Sequence, residues 1–137
     1  NNETALNTDE ESIISTFNTN TLGVLRVTKF VEPLMKPGSR IINISSGMGQ
    51  LEDMQGGHTA YRLSKTALNA LTVILSKELA FKNISVNTIC PGWVQTDMGG
   101  SSATLTVEES TREIVKFSLQ DKFPTGKYLR HGQVIPW

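Results

Sequence analysis

One cysteine, Cys90, is all the thiol chemistry that 137 residues contain. A lone thiol excludes an internal disulfide and a thiolate-based zinc site, and it fits a reducing compartment. Net charge is missing too: 13 lysines and arginines balance 13 aspartates and glutamates. With no field of either sign, nucleic acid is a poor candidate partner. No apolar run approaches the roughly 20 residues needed to cross a bilayer, so no membrane partner is expected. The opening "NNETALNTDEE" is polar and acidic, the opposite of a secretory or mitochondrial leader, which makes the cytoplasm the expected location. Internal repeats, low-complexity tracts and linkers are absent as well, and the length suits a single domain over residues 1–137. At 38% hydrophobic and 19% charged residues, the composition is that of a globular chain rather than a disordered one.

What is there alternates between helix and strand patterns. "TDEE" (8–11) has a threonine three residues before a glutamate, a capping-box pattern. Behind it Ile13, Ile14, Phe17, Leu22, Leu25 and Val31 keep roughly helical spacing, interrupted by Asn18 and Asn20, until Pro33 ends or kinks the helix. "RIINISS" (40–46) reads as a short buried strand, and "GMGQLEDMQGGHT" (47–59) as a glycine-rich polar loop. A long helix is expected from about Thr59 to Phe81, then a strand over "NISVNTIC" (83–90) that Pro91-Gly92 stops. "TVEE" (106–109) opens a helix to about Leu119, and "PTG" (124–126) turns into a last strand, "KYLR" or "QVI". This alternation predicts a parallel sheet covered on both faces, with strand ends and helix starts on one rim. Ser45-Ser46, Pro91-Gly92 and the start of the Tyr61 helix all fall there, where ligands of open α/β sheets bind.

"AYRLSK" (60–65) places Tyr61 and Lys65 four positions apart, neighbours on one helix face. A free tyrosine has a pKa of about 10, too high for ready proton exchange near neutrality. A nearby ammonium favours the phenolate and brings the group toward the range that general acid/base catalysis needs. A serine hydroxyl on an adjoining strand end would hold a carbonyl oxygen and stabilise charge building there. Such a set suits carbonyl reduction, in which tyrosine gives a proton as hydride arrives. The pair alone leaves open a plainer reading, two solvated side chains on a helix.

Order and spacing add to it. "FNTNTLG" (17–23), "RIINISS", "YRLSK" and "VNTICPGWVQT" (86–96) stand in the order of the short-chain dehydrogenase/reductase family, which the chain resembles from about residue 9 to its end. "CPGWVQTDM" and the terminal "IPW" are similar to its carbonyl-reductase-like members. The resemblance implies a Rossmann-like α/β sheet with helices on both faces, truncated at the N-terminus. It implies an NAD(P)-dependent oxidoreductase acting on a small carbonyl or alcohol, NADP slightly preferred. Tyr61 would be the proton donor, and Lys65 would lower its pKa and grip the nicotinamide ribose. Ser46, fifteen residues before Tyr61, would hold the substrate carbonyl, and Asn20 would anchor a water relaying protons to Lys65. Ser45 is the weaker serine, because strand alternation turns it to the opposite face. Without the family, Asn20 is simply a polar residue disturbing a helix. The loop Pro91, Gly92, Val94 and Thr96 would close over the nicotinamide, with backbone near Val94 and the Thr96 hydroxyl on its carboxamide.

The family's strand–glycine turn–helix for the cofactor pyrophosphate has no counterpart here. "GMG" (47–49) offers G-x-G, but Glu52 stands at the third glycine position and no helix follows. The opening Asn1-Asn2 lacks the alanine and glycine of the family's asparagine-asparagine-alanine-glycine segment and lies too close to Asn20. The expectation is therefore the catalytic, C-terminal half of such a domain, able to bind cofactor only weakly. The alternative is a truncated, inactive half-domain that folds or oligomerises without cofactor. A homo-oligomer is expected through the helices near 10–31 and 60–81 or through an open sheet edge. His58 and His131 suggest no metal site. Met48, Met54, Trp93 and Met98 are candidates to line an apolar pocket, and Cys90 reads as a buried small hydrophobe.

Overall fold

The structure is a computed structural model that describes residues 4–137; the Asn1-Asn2 pair lies outside them. Four strands form one sheet in the order β1 (Arg40–Ile44), β2 (Ser85–Cys90), β3 (Tyr128–Arg130) and β4 (Gln133–Ile135). The β1–β2 and β2–β3 pairs are parallel, with Ile41 opposite Val86 and Ile89 opposite Leu129. β4 pairs antiparallel with β3. The two sequence candidates for a last strand are thus the two arms of one hairpin. His131 and Gly132, both at positive φ (50° and 72°), make its two-residue turn, the backbone that matches strand twist.

Helices α1 (Glu10–Phe17), α2 (Gly23–Val31), α3 (Thr59–Glu78) and α4 (Val107–Ser118) flank the sheet. Strand alternation sends residues to two cores. Val86 and Ile41 pack with Leu75 of α3 and Leu79 just past its end, while Ile89, Leu129 and Ile42 pack with Phe117 and Ile114 of α4. The fold is therefore a Rossmann-like, mainly parallel sheet covered on both faces. On the α3 side Asn43, Thr72 and Thr88 are buried and bonded to one another. The Asn43 amide donates to Thr72 Oγ1 at 2.9 Å, and Thr72 and Thr88 hydroxyls meet at 2.8 Å. No helix among the described residues is long and apolar enough to cross a membrane.

Boundaries follow local chemistry. α1 is capped by Asp9, whose carboxylate accepts from Ser12 N–H at 3.1 Å. The cap expected of Thr8 is displaced by one residue, because the Thr8 hydroxyl donates to the Thr4 carbonyl instead. Thr106 and Glu109 form the full reciprocal capping box of α4. α2 ends at Val31, and Pro33 sits in the 3-10 turn that follows.

Candidate active site

Tyr61 and Lys65 lie on successive turns at the start of α3, both half-buried. Lys65 Nζ stands 5.6 Å from the Tyr61 ring centroid and donates to the Ile44 carbonyl, the last of β1, at 2.9 Å. One ammonium thus ties the helix to the strand end that leads into Ser46. Burial holds the Lys65 pKa below its ordinary value. The pair is thus half-buried and tied to β1 rather than freely solvated.

Asn20 sits in a π-helical segment, Asn18–Leu22, between α1 and α2, where Gly23 N–H bonds the Asn18 carbonyl. Single π turns inside helices are common at functional sites. The Asn20 amide donates to Ser64 Oγ at 3.0 Å, and Ser64 Oγ donates to the Tyr61 carbonyl at 2.8 Å. Thr21 Oγ1 donates to the Ser64 carbonyl at 2.9 Å. Ser64, wholly buried, therefore joins the π turn to the tyrosine helix. Its only signal in the sequence is a small residue before the lysine.

Ser46 caps a 3-10 turn over Gly47–Gly49; its Oγ accepts from Met48 N–H at 3.2 Å and keeps its own hydrogen for another acceptor. Ser45 is buried, with its hydroxyl turned to the Lys65 carbonyl at 3.4 Å. Alternation thus separates the two serines, and Ser46 is the more open. Among the described residues no hydrogen bond joins Ser46, two residues past β1, to Tyr61 at the start of α3. The turn itself is seated on α3, because Thr66 and Asn69 both donate to the Gly49 carbonyl, at 3.1 and 3.0 Å. A Cβ on Gly49 would lie 2.7 Å from the Lys65 carbonyl carbon, and one on Gly47 would lie 2.5 Å from the Arg130 guanidinium. These two glycines serve close packing of the chain on itself.

Beyond β2 the chain leaves through Pro91, whose carbonyl accepts from Ser110 Oγ at 2.9 Å, and Gly92, at φ 83°. Val94 then bridges Leu105 in parallel, with Gln95 N–H donating to the Leu105 carbonyl and Leu105 N–H to that of Trp93. Thr96 Oγ1 is exposed and accepts from Gly99 N–H at 3.1 Å. This loop folds back on itself beside the rim, and its hydrogen bonds do not reach Tyr61, Lys65 or Ser46. Trp93, Met54 and Met98 are exposed, and Met48 is half-buried. The cavity that touches Tyr61, about 390 Å³, is instead polar and takes Asp9, Ser12, Thr16 and His58 as walls.

Known proteins share this fold. Residues 1–122 match the family model described as enoyl-(acyl carrier protein) reductase. The chain is 36% identical to the C-signal of Myxococcus xanthus, over 94% of this chain and 81% of that protein. It is 27% identical to carbonyl reductase [NADPH] 1 of Mus musculus, over 89% of this chain and 61% of the relative. Among solved structures, the carbonyl reductase Sniffer of D. melanogaster superposes with a TM-score of 0.90 at 34% identity, over 97% of this chain and 60% of that one. The NADPH-bound carbonyl reductase from chicken fatty liver gives 0.90 at 31% identity, over 100% and 62%. The chain thus spans about three fifths of the length of these three carbonyl reductases.

Proposed function

The chain belongs to the short-chain dehydrogenase/reductase family, in its carbonyl-reductase-like branch, and from that premise we propose that residues 1–137 form the catalytic part of an NAD(P)-dependent carbonyl reductase. The observation that carries this reading is Lys65, held between the Ile44 carbonyl and the Tyr61 ring. Tyr61 gives its phenolic proton to the substrate oxygen, and Lys65, beside it, stabilises the phenolate left behind. Ser46 Oγ donates its free hydrogen to the same oxygen. Asn20, anchored through Ser64, would hold the water that relays protons to Lys65. When bound, the cofactor supplies the hydride. NADPH is preferred over NADH, since NADPH is named for both the mouse and the chicken relatives.

The nicotinamide half of that cofactor would be held by Lys65 at the ribose and by Pro91, Gly92, Val94 and Thr96 at the carboxamide side. Its pyrophosphate does not fit the G-x-G turn, whose glycines are filled from below by Arg130 and Lys65. Binding energy from the remote end of a cofactor normally holds its reactive end in place, so the affinity of residues 1–137 for NADPH is expected to be weaker than micromolar. The same observation favours the second reading, a domain that folds without catalysis. One experiment separates them: consumption of millimolar NADPH by residues 1–137 over a panel of aldehydes and ketones. Carbonyl-dependent consumption supports the reductase, and none from a folded protein supports the second reading.

A further inference from the structure

Beneath Ser46 the chain returns 82 residues later as β3, and a buried phenol on that strand meets the serine's backbone. Tyr128 is wholly buried, and its hydroxyl donates to the Ser46 carbonyl at 2.7 Å. Two residues on, and so on the same face of β3, Arg130 Nη2 donates to Gln50 Oε1 at 3.2 Å. From β2, Cys90 Sγ accepts from Gly47 N–H at 3.1 Å. We propose that Tyr128 is a positioning residue for Ser46: its hydroxyl fixes the serine's backbone, while Arg130 holds the far end of the same turn. The proposal rests on the reading of Ser46 as the residue that holds the substrate carbonyl.

A hydrogen bond to the Ser46 carbonyl sets the direction of the peptide plane leaving that residue, and with it the line along which Cα–Cβ aims the hydroxyl. A phenol suits the task, because its ring cannot bend and is itself fixed. The Trp137 ring stacks on it at 5.5 Å, and the Trp137 carbonyl accepts from Glu52 N–H at 3.3 Å. Burial pushes the Tyr128 pKa up to about 12, so the hydroxyl keeps its proton across the working range. A phenylalanine would fill the same space. The hydroxyl adds a buried polar group whose desolvation is offset by the bond it makes to Ser46, with Arg130 and Asn69 nearby. Positional errors of about an ångström at a reacting group cost up to about a hundredfold in rate, so a brace distant in sequence has a kinetic consequence.

The test is Tyr128→Phe, compared with Ser46→Ala and the double variant. The probes are 4-nitrobenzaldehyde with NADPH for turnover and amide hydrogen exchange at Met48 and Gly49 for the turn. Tyr128→Phe is expected to lower kcat about tenfold with KM for NADPH unchanged, and to speed exchange at both amides about tenfold. The double variant is expected to turn over no more slowly than Ser46→Ala, because Tyr128 acts through Ser46. A packing role alone would lower thermal stability and leave kcat and the double-variant comparison unmoved or additive; either result overturns the proposal. If the wild-type protein consumes no NADPH with any carbonyl, the functional reading fails, and exchange still decides the brace. Unchanged protection at Met48 and Gly49 in a folded Tyr128→Phe protein then overturns it.

Discussion

Lys65 does two things with one ammonium: it closes β1 onto α3 through the Ile44 carbonyl, and it stands beside the Tyr61 ring. Lys65→Ala is expected to cut turnover at least tenfold, since the phenolate formed at Tyr61 loses the ammonium beside it; steady-state turnover at fixed pH measures it. Tyr128 gives a pH signature. Its pKa is about 12 in the fold against 10.0 ordinarily, raised by burial first and by the Cys90 thiol next, while Arg130 and Asn69 oppose the rise. A raised folded-state pKa means that the unfolded chain loses its proton first. The stability from this group is complete below pH 10 and is lost as pH rises toward 12. Denaturant unfolding from pH 9 to 12 is expected to show that decline, and Tyr128→Phe to lack this part of it. Of these residues, Tyr61 and Lys65 were legible from i,i+4 spacing and the choice of Ser46 over Ser45 from alternation. Asn20 was legible only through family order. Ser64 and Tyr128 were not, because their partners lie 44 and 82 residues away and no local pattern encodes such a meeting.

The elements were read more completely where their signals are local. Thr106–Glu109 marks the start of α4 because both halves of a capping box lie within one turn. The start of α1 was placed one residue early, since Thr8 and Asp9 are both capping types and the competition is settled by a bond to Thr4. The π turn at Asn18–Leu22 was visible only as an interruption of apolar spacing, and its geometry depends on α3, onto which Asn20 and Thr21 bond. The 3-10 turn after β1 was read as plain loop, because its shape comes from burial of Gly49 against α3. Gly49→Ala tests that contact. A methyl 2.7 Å from the Lys65 backbone must push the turn off the helix, with a loss of about 1–3 kcal/mol as for other overpacked sites. Thermal or urea unfolding measures the loss, and turnover is expected to fall with it because the turn carries Ser46.

The molecule as a whole leaves apolar surface uncovered. Phe30 and Leu34, at and just beyond the end of α2, are 78% and 75% exposed, and Val27 on α2 and Ile14 on α1 are also exposed. Leu63 and Ile74 on α3 are half-exposed. β1 has no strand beyond it among the described residues, and a groove of about 500 Å³ between it and α2 is walled by Val24, Val27, Val31, Met35 and Ile41. An open strand edge and a broad apolar face are templates for another chain. Residues 1–137 are therefore expected to form a homodimer or higher oligomer, read by light scattering across a concentration series. A folded monomer at tens of micromolar would show these faces to be tolerated in water. Association and catalysis are separable questions, and the central claim concerns the second: that Tyr61 gives the proton in carbonyl reduction. It is tested most directly by carbonyl-dependent NADPH consumption at saturating cofactor in wild-type and Tyr61→Phe proteins of equal helix content. Loss of only the phenolic hydroxyl is expected to lower turnover at least about a hundredfold, whereas equal turnover in the two proteins would contradict the account.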